Sequence, residues 1–182
     1  MDCVASVVSD ITKGFGGGMG TLALALDLKG AFNAFLPGPL LDELRGLAGP
    51  TRLLNLVSFL VSKRYLFFSS DRSKPRPCGV SVPQGGILSP LLFNLALRRL
   101  GQHLPDGVSV AMYADDLLLY VAGILGREAS ELLELACEQL TPLLERLVLS
   151  ISIPKSQLCV FSMGRGGGRG ISIRINRTVV RS

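Results

Sequence analysis

The chain is 182 residues long and 48% hydrophobic, and its 19 Lys and Arg outnumber its 14 Asp and Glu to give a net charge of +5. That length and apolar content suit one folded domain or a large part of one and exclude a disordered tail or linker, while the positive balance suits a phosphate-rich partner. Four cysteines without C-x-x-C spacing and a single histidine, His103, argue against a zinc site and leave a Ser- or Cys-based triad only one candidate base.

Residues 2–13 have helical spacing, and the segment 14–20, rich in glycine, reads as a flexible connector without the Lys-Ser/Thr of a P-loop. Residues 21–28 form an apolar strand whose one acid, Asp27, stands near its end. Packing in such a strand has no use for an aspartate, although Asp in that place also serves as a helix N-cap. Leu40 to Ala48 and Thr51 to about Phe67 predict two helices broken at Gly49-Pro50, the second closed by Lys63 and Arg64 against its dipole. Asp71 to Pro77 reads as a turn and Cys78 to Val82 as a short strand. In the loop after that strand Gly85 and Gly86 permit close backbone approach, and the Gln84 amide can position a base. Ser89-Pro90 gives an N-cap and first-turn proline for a helix running to about Leu100, and His103 then falls at a helix end on the surface.

Residues 108–121 place Asp115 and Asp116 between two apolar, strand-like runs, so the pair sits at the tip of a tight hairpin. Aspartates at a turn can simply solvate it. Two adjacent carboxylates flanked by core strands are also costly to bring together unless a cation sits beside them. With Asp27, three acids on two strands would suffice to hold a pair of Mg²⁺ ions, which at roughly 3.5–4 Å separation support in-line phosphoryl transfer.

Glu128 to Leu147 is an amphipathic helix offering Leu132, Leu133, Leu135, Leu140, Leu143 and Leu144 to a core, with Pro142 as a kink point. Leu149 to Ile153 and Gln157 to Phe161 read as strands on either side of Pro154-Lys155-Ser156. The segment 164–170 is a low-complexity Gly/Arg loop, and 171–180 alternates as one last strand. After Glu145 no acid occurs while Lys155, Arg165, Arg169, Arg174, Arg177 and Arg181 are all basic, a cationic end suited either to solvent or to a nucleic-acid backbone. No secretory signal and no apolar run long enough for a membrane span is present, which predicts an intracellular, unsecreted protein.

Taken in order, Ala25-Leu26-Asp27-Leu28-Lys29-Gly30-Ala31-Phe32, Pro83-Gln84-Gly85-Gly86-Ile87-Leu88-Ser89-Pro90-Leu91-Leu92-Phe93-Asn94, Tyr113-Ala114-Asp115-Asp116 and Pro154-Lys155-Ser156 closely resemble the palm motifs of reverse transcriptases, most of all those of non-LTR (LINE-type) retrotransposons. The resemblance implies an α+β polymerase palm, an antiparallel sheet backed by helices with partial fingers. Residues 1–20 would then be a helix end and connector, 21–162 the palm with a helical fingers-side insertion at about 40–82, and 163–182 a basic segment ending before the thumb. It also implies that Asp27 and Asp115 share two Mg²⁺ ions, replaceable by Mn²⁺, with Asp116 as the further motif acid. Phe32 corresponds to the aromatic gate that rejects a 2′-hydroxyl, and Gln84 and Gly85 to the loop touching template and nucleotide. Tyr113 falls on the nucleotide side of its motif, and Lys155 matches the residue placed to protonate leaving pyrophosphate.

The implied activity is RNA-directed DNA polymerisation in the nucleus or cytoplasm of a eukaryotic host, with an RNA template, a DNA primer and dNTPs. Further fingers, thumb and endonuclease domains of a parent polyprotein would be partners. Because finger strands should precede residue 13 and a primer-gripping hairpin and thumb should come after the Lys155 motif, the chain is expected to be a fragment with little activity alone. An inactive palm serving as a nucleic-acid scaffold is one alternative. An RNA-templated RNA polymerase is another, although those usually carry Gly-Asp-Asp and lack the aromatic at the Phe32 position.

Overall fold

A computed structural model of the chain describes residues 3–16, 20–29, 37–47, 50–61, 64–68, 71–78, 88–113, 116–163, 170–176 and 178–182. Its organising strand is β1, Thr21–Lys29, in which Leu22, Leu24, Leu26 and Leu28 alternate with Ala23, Ala25, Asp27 and Lys29. The four leucines are buried, whereas exposure rises along the other row from Ala23 through Asp27 to Lys29. A period of two therefore gives this strand one core face and one face that opens toward its C-terminal end.

Strands β2 (Arg64–Phe68) and β3 (Asp71–Cys78) lie in sequence between β1 and the next sheet strands, β4 (Ser109–Tyr113) and β5 (Asp116–Ala122). Strand β5 pairs antiparallel with β1 from Thr21↔Ala122 to Asp27↔Asp116, and β4 pairs with β5 from Ser109↔Tyr120 to Tyr113↔Asp116. The other edge of β1 is shared by β6 (Ser150–Ile151), which pairs with Leu28 and Lys29, and β7 (Gln157–Phe161), which pairs with residues from Thr21 to Ala25. The result is a five-stranded antiparallel sheet centred on β1. Helix α1, Cys3–Gly16, approaches β1, β4 and β5, and α5, Arg127–Arg146, buries Ala129, Leu133, Ala136, Cys137, Leu140 and Leu144 along one stripe. With β8 (Ser172–Ile175), β9 (Thr178–Arg181) and the 3₁₀ turns Leu100–His103 and Ile153–Lys155, these elements make up one compact unit.

A second unit covers Gly30–Arg98 and Arg146–Leu149. It contains α2 (Pro37–Gly46), α3 (Thr51–Val61), the β2–β3 hairpin and α4 (Ser89–Leu97). Helix α2 packs against both α3 and α4, and Arg98 Nε donates to Glu43 Oε2 at 2.9 Å. Phe93, Leu97, Leu40, Val57 and Val61 are buried here.

Several expectations are corrected. The second predicted helix stops at Val61, and Arg64, expected to close it, lies in β2. Tyr65, Leu66, Phe67 and Phe68 are an aromatic-rich run that prefers a strand once a pairing partner exists. That partner is β3, in a segment whose sequence reads as a turn; its prolines at 75 and 77 suit an edge strand, since among the described residues β3 pairs with β2 alone. Leu88, not Ser89, caps α4, without a side-chain hydrogen bond, so Ser89 and Pro90 occupy the first turn. The predicted last strand is a hairpin, β8–β9, turned at Asn176 with φ 46°, a backbone conformation asparagine tolerates better than most residues. A hairpin therefore does come after the Lys155 motif. Leu135 of α5 faces out, 41% exposed, because only one stripe of a helix this long can face a core.

Candidate active site

Directly opposed residues of an antiparallel pair project to the same face, so the register Asp27↔Asp116 and Tyr113↔Asp116 sets both carboxylates and the tyrosine side by side. Cross-strand neighbours of this kind have Cβ atoms about 4.5–5.5 Å apart, and like charges so placed repel. Asp27 is held at the half-buried end of a strand whose row runs Thr21, Ala23, Ala25 before it, and Asp116 is exposed at the start of β5. Tyr113, 75% exposed, ends β4. Only Ala114 and Asp115 separate the paired ends of β4 and β5.

The third charged group arrives from the other edge of β1. Ser152 N donates to Asp27 O at 2.8 Å, tying the turn after β6 to the aspartate's own backbone. Within that turn Lys155 N and Ser156 N each donate to Ser152 O at 3.0 Å, and so does the buried Ser156 Oγ. The resulting 3₁₀ turn presents Lys155 Nζ at 3.5 Å from Asp27 Oδ1. Lys155 and Asp27 thus meet although they stand 128 positions apart in sequence.

These groups sit at the polar end of a cleft of about 520 Å³. Ala25, Ala111 and Leu118 form its sheet floor, and Cys3, Val4, Val7 and Val8 of α1 form the opposite wall. Further along the same face of β5, Tyr120 is buried and its hydroxyl donates to Asp10 Oδ2 of α1 at 2.9 Å. Burial, then the bond to the Asp10 carboxylate, hold the Tyr120 phenol above its ordinary range, while that bond and the neighbouring Lys13 hold Asp10 below its own. Burial pushes the Cys137 thiol up to about 12, so it is inert at neutral pH.

Of the residues singled out from sequence, Asp27, Asp116, Tyr113 and Lys155 are brought together around this cleft. Asp115, Phe32, Gln84 and Gly85 lie outside the described residues. Among the described residues no group of three His, Cys, Asp or Glu gathers to hold a metal. The donor chemistry nevertheless fits a hard divalent cation: Asp27 and Asp116 are two oxygen-ligand carboxylates forced into opposition, with Lys155 beside Asp27. Sequence reasoning missed Asp10, Tyr120 and the pocket-lining Gln157. The available signal was Tyr120 itself, a hydroxyl-bearing aromatic inside a core strand that must find a hydrogen-bond partner when buried. Among the described residues no helix is long and apolar enough to cross a membrane.

An antiparallel sheet carrying carboxylates at one end of its central strand and hairpin, with helices against it, defines a polymerase palm-like α+β domain. The chain belongs to the reverse transcriptase (RNA-dependent DNA polymerase) family, whose profile matches residues 11–174. No curated protein matches it. Among solved structures, it is similar to apo telomerase from Candida tropicalis, with TM-score 0.65 and 7% identity over 94% of this chain and 34% of that one. A form of that telomerase truncated from its C-terminal domain gives TM-score 0.63 and 9% identity over 98% of this chain and 40% of the other. Telomerase from Candida albicans in complex with a fragment of telomeric RNA gives 0.53 and 13%, over 98% and 32%. At these identities the likeness is one of fold, and the chain spans two fifths or less of the length of these structures.

Proposed function

We propose that this chain is the palm, with part of the fingers, of an RNA-directed DNA polymerase from a non-LTR retrotransposon polyprotein, copying an RNA template from a DNA primer with dNTPs. The observation that carries the reading is the opposed pair Asp27 and Asp116 with Lys155 Nζ 3.5 Å from Asp27. The sheet built on β1 would belong to the palm, residues 21–162, with the helical fingers-side insertion at about residues 40–82. The mobile-element assignment rests on the sequence motifs, since likeness to telomerases is of fold alone.

Asp27, Asp115 and Asp116 would hold Mg²⁺, and Mg²⁺, when bound, supplies charge neutralisation for a phosphoryl transfer. The chain's own groups do the rest. The β1–β5 register fixes the carboxylates on a rigid sheet. Lys155 gives a proton from Nζ to the departing pyrophosphate oxygen. Tyr113, Phe32, Gln84 and Gly85 orient nucleotide and template, Phe32 by excluding a 2′-hydroxyl. Clamping of the duplex requires phosphate contacts beyond the metal ligands.

The test is primer extension on an RNA template by the parent polypeptide. Asp27→Asn and Asp115→Asn should each abolish dNTP incorporation while template binding persists. Incorporation at an unchanged rate in either variant refutes the metal assignment, and template binding without Mg²⁺-dependent incorporation in the unsubstituted protein identifies a scaffold.

A further inference from the structure

Helix α1 is bound to the sheet in two different ways along its length. Its first half, through Cys3, Val4, Val7 and Val8, walls the cleft at whose polar end Asp27, Asp116 and Lys155 stand. Val4 and Val8 of this wall are 61% and 55% exposed. Its second half carries Asp10, whose Oδ2 accepts the Tyr120 hydroxyl at 2.9 Å across 110 residues of sequence. Tyr120 is only 4% exposed and belongs to the strand that begins at Asp116, on the same face four residues on. The bond from Lys13 to Asp10 and that from Thr12 to Val8 stay within the helix, whereas the Tyr120 bond joins α1 to the sheet.

An apolar wall with half-exposed valines contributes little directional restraint, because hydrophobic contact is non-directional. A part-buried hydroxyl bond to a carboxylate supplies one, and it is stronger than a neutral hydrogen bond. We infer that Tyr120 is a positioning residue for nucleotidyl transfer: its bond to Asp10 latches α1 onto the catalytic hairpin and thereby sets the width of the cleft in which the primer terminus and nucleotide are held. This rests on the polymerase reading above. The latch touches neither the carboxylates nor Lys155, so its loss acts on substrate binding and leaves the chemical step largely intact.

The experiment pairs amide hydrogen exchange on α1 with steady-state primer extension by the parent polypeptide. Tyr120→Phe deletes the donor and keeps the ring in its buried site, and Asp10→Ala deletes the acceptor. Asp10→Asn keeps an acceptor oxygen without the charge. Tyr120→Phe and Asp10→Ala should speed exchange across residues 3–16 by about tenfold and raise KM for nucleotide or primer by about five- to tenfold, with kcat within about twofold of the unsubstituted enzyme. Asp10→Asn should restore most of both. Faster exchange with unchanged KM overturns the inference, since α1 would then be ordered without shaping the site. Unchanged exchange, or a loss confined to kcat, overturns it as well. Failure of the polymerase reading is distinguishable: the unsubstituted parent would show no extension dependent on Asp27, and the role given to the latch would fall with it whatever the exchange shows.

Discussion

Replacing Lys155 by methionine separates a catalytic lysine from a surface one because the structure bounds how much stability its ion pair contributes. Nζ lies 3.5 Å from Asp27 Oδ1, and the two side chains are 71% and 30% exposed. At that separation in a near-aqueous dielectric the attraction is about 1 kcal/mol, and salt screening with side-chain ordering reduces exposed pairs to about 0.2–1 kcal/mol. Methionine keeps most of the aliphatic stem, so urea unfolding of Lys155→Met should shift by no more than about 1 kcal/mol. A positioned proton donor contributes about 10²–10⁴ in rate. Single-nucleotide extension by the Lys155→Met parent polypeptide should accordingly slow by at least about 100-fold at saturating dNTP. The pair is too weak for destabilisation to explain such a loss. A rate within about threefold of the unsubstituted enzyme, with folding intact, would refute the assignment and return Lys155 to the surface turn it occupies.

Asp116→Asn should stabilise the metal-free chain by a few tenths to about 1 kcal/mol, because it removes one of two directly opposed carboxylates, and should reduce the rise in melting temperature on adding Mg²⁺; scanning calorimetry with and without Mg²⁺ checks both. Gly20→Ala should cost about 2 kcal/mol or more in urea unfolding, since an added Cβ would stand 2.4 Å from Phe161 O and 2.4 Å from Leu125 Cδ1, and a backbone carbonyl in a paired strand cannot yield cheaply. The Asp10–Tyr120 bond defines a pH window for the docking of α1. Asp10 titrates lower folded than unfolded, so its contribution is complete above the ordinary carboxylate range near about pH 4 and is lost as pH falls through the depressed value. Tyr120 titrates higher folded than unfolded, so its contribution is complete below about pH 10 and is lost as pH rises through the raised value. Exchange at α1 amides, corrected for intrinsic rates, should therefore rise at both extremes in the unsubstituted chain and lose its alkaline limb in Tyr120→Phe.

Legibility in sequence tracked the strength of the periodic signal. The alternation of β1 and the apolar flanks of Asp115-Asp116 located the central strands, because a core face and a pleat leave a pattern of period two. The motifs then predicted that Asp27 and Asp116 would meet, which composition alone does not encode. The aromatic run 65–68 lost its strand identity to the helical spacing before it, since its partner β3 carries prolines and reads as a turn. The bounds of α5 are legible to within one residue without a glycine stop, whereas the turn beyond it is not: Val148 takes φ 59°, a left-handed conformation that is rare for a β-branched residue and one tertiary context must impose. In sequence Gly20 reads as part of a flexible connector, yet its lack of a side chain is what lets β7 and Leu125 close over the start of β1. Conformational freedom and close packing leave the same letter in a sequence.

The placement of Lys155 is the least local fact about the site and the one most firmly built into the backbone. Strand β6 is two residues long, too short to fix a side chain by pairing alone. Its restraint comes from the adjoining turn: Ser152 leaves the strand by donating to the carbonyl of Asp27 itself, and its own carbonyl then gathers Lys155 N, Ser156 N and Ser156 Oγ into one turn. Each of those donors is satisfied within the turn or by β1, so main-chain geometry fixes where the Lys155 side chain leaves the backbone, and the weak, exposed ion pair to Asp27 adds little to that placement. If Lys155 gives a proton to a leaving group, a weak and exposed ion pair leaves its side chain able to do so, while the backbone fixes the turn that carries it.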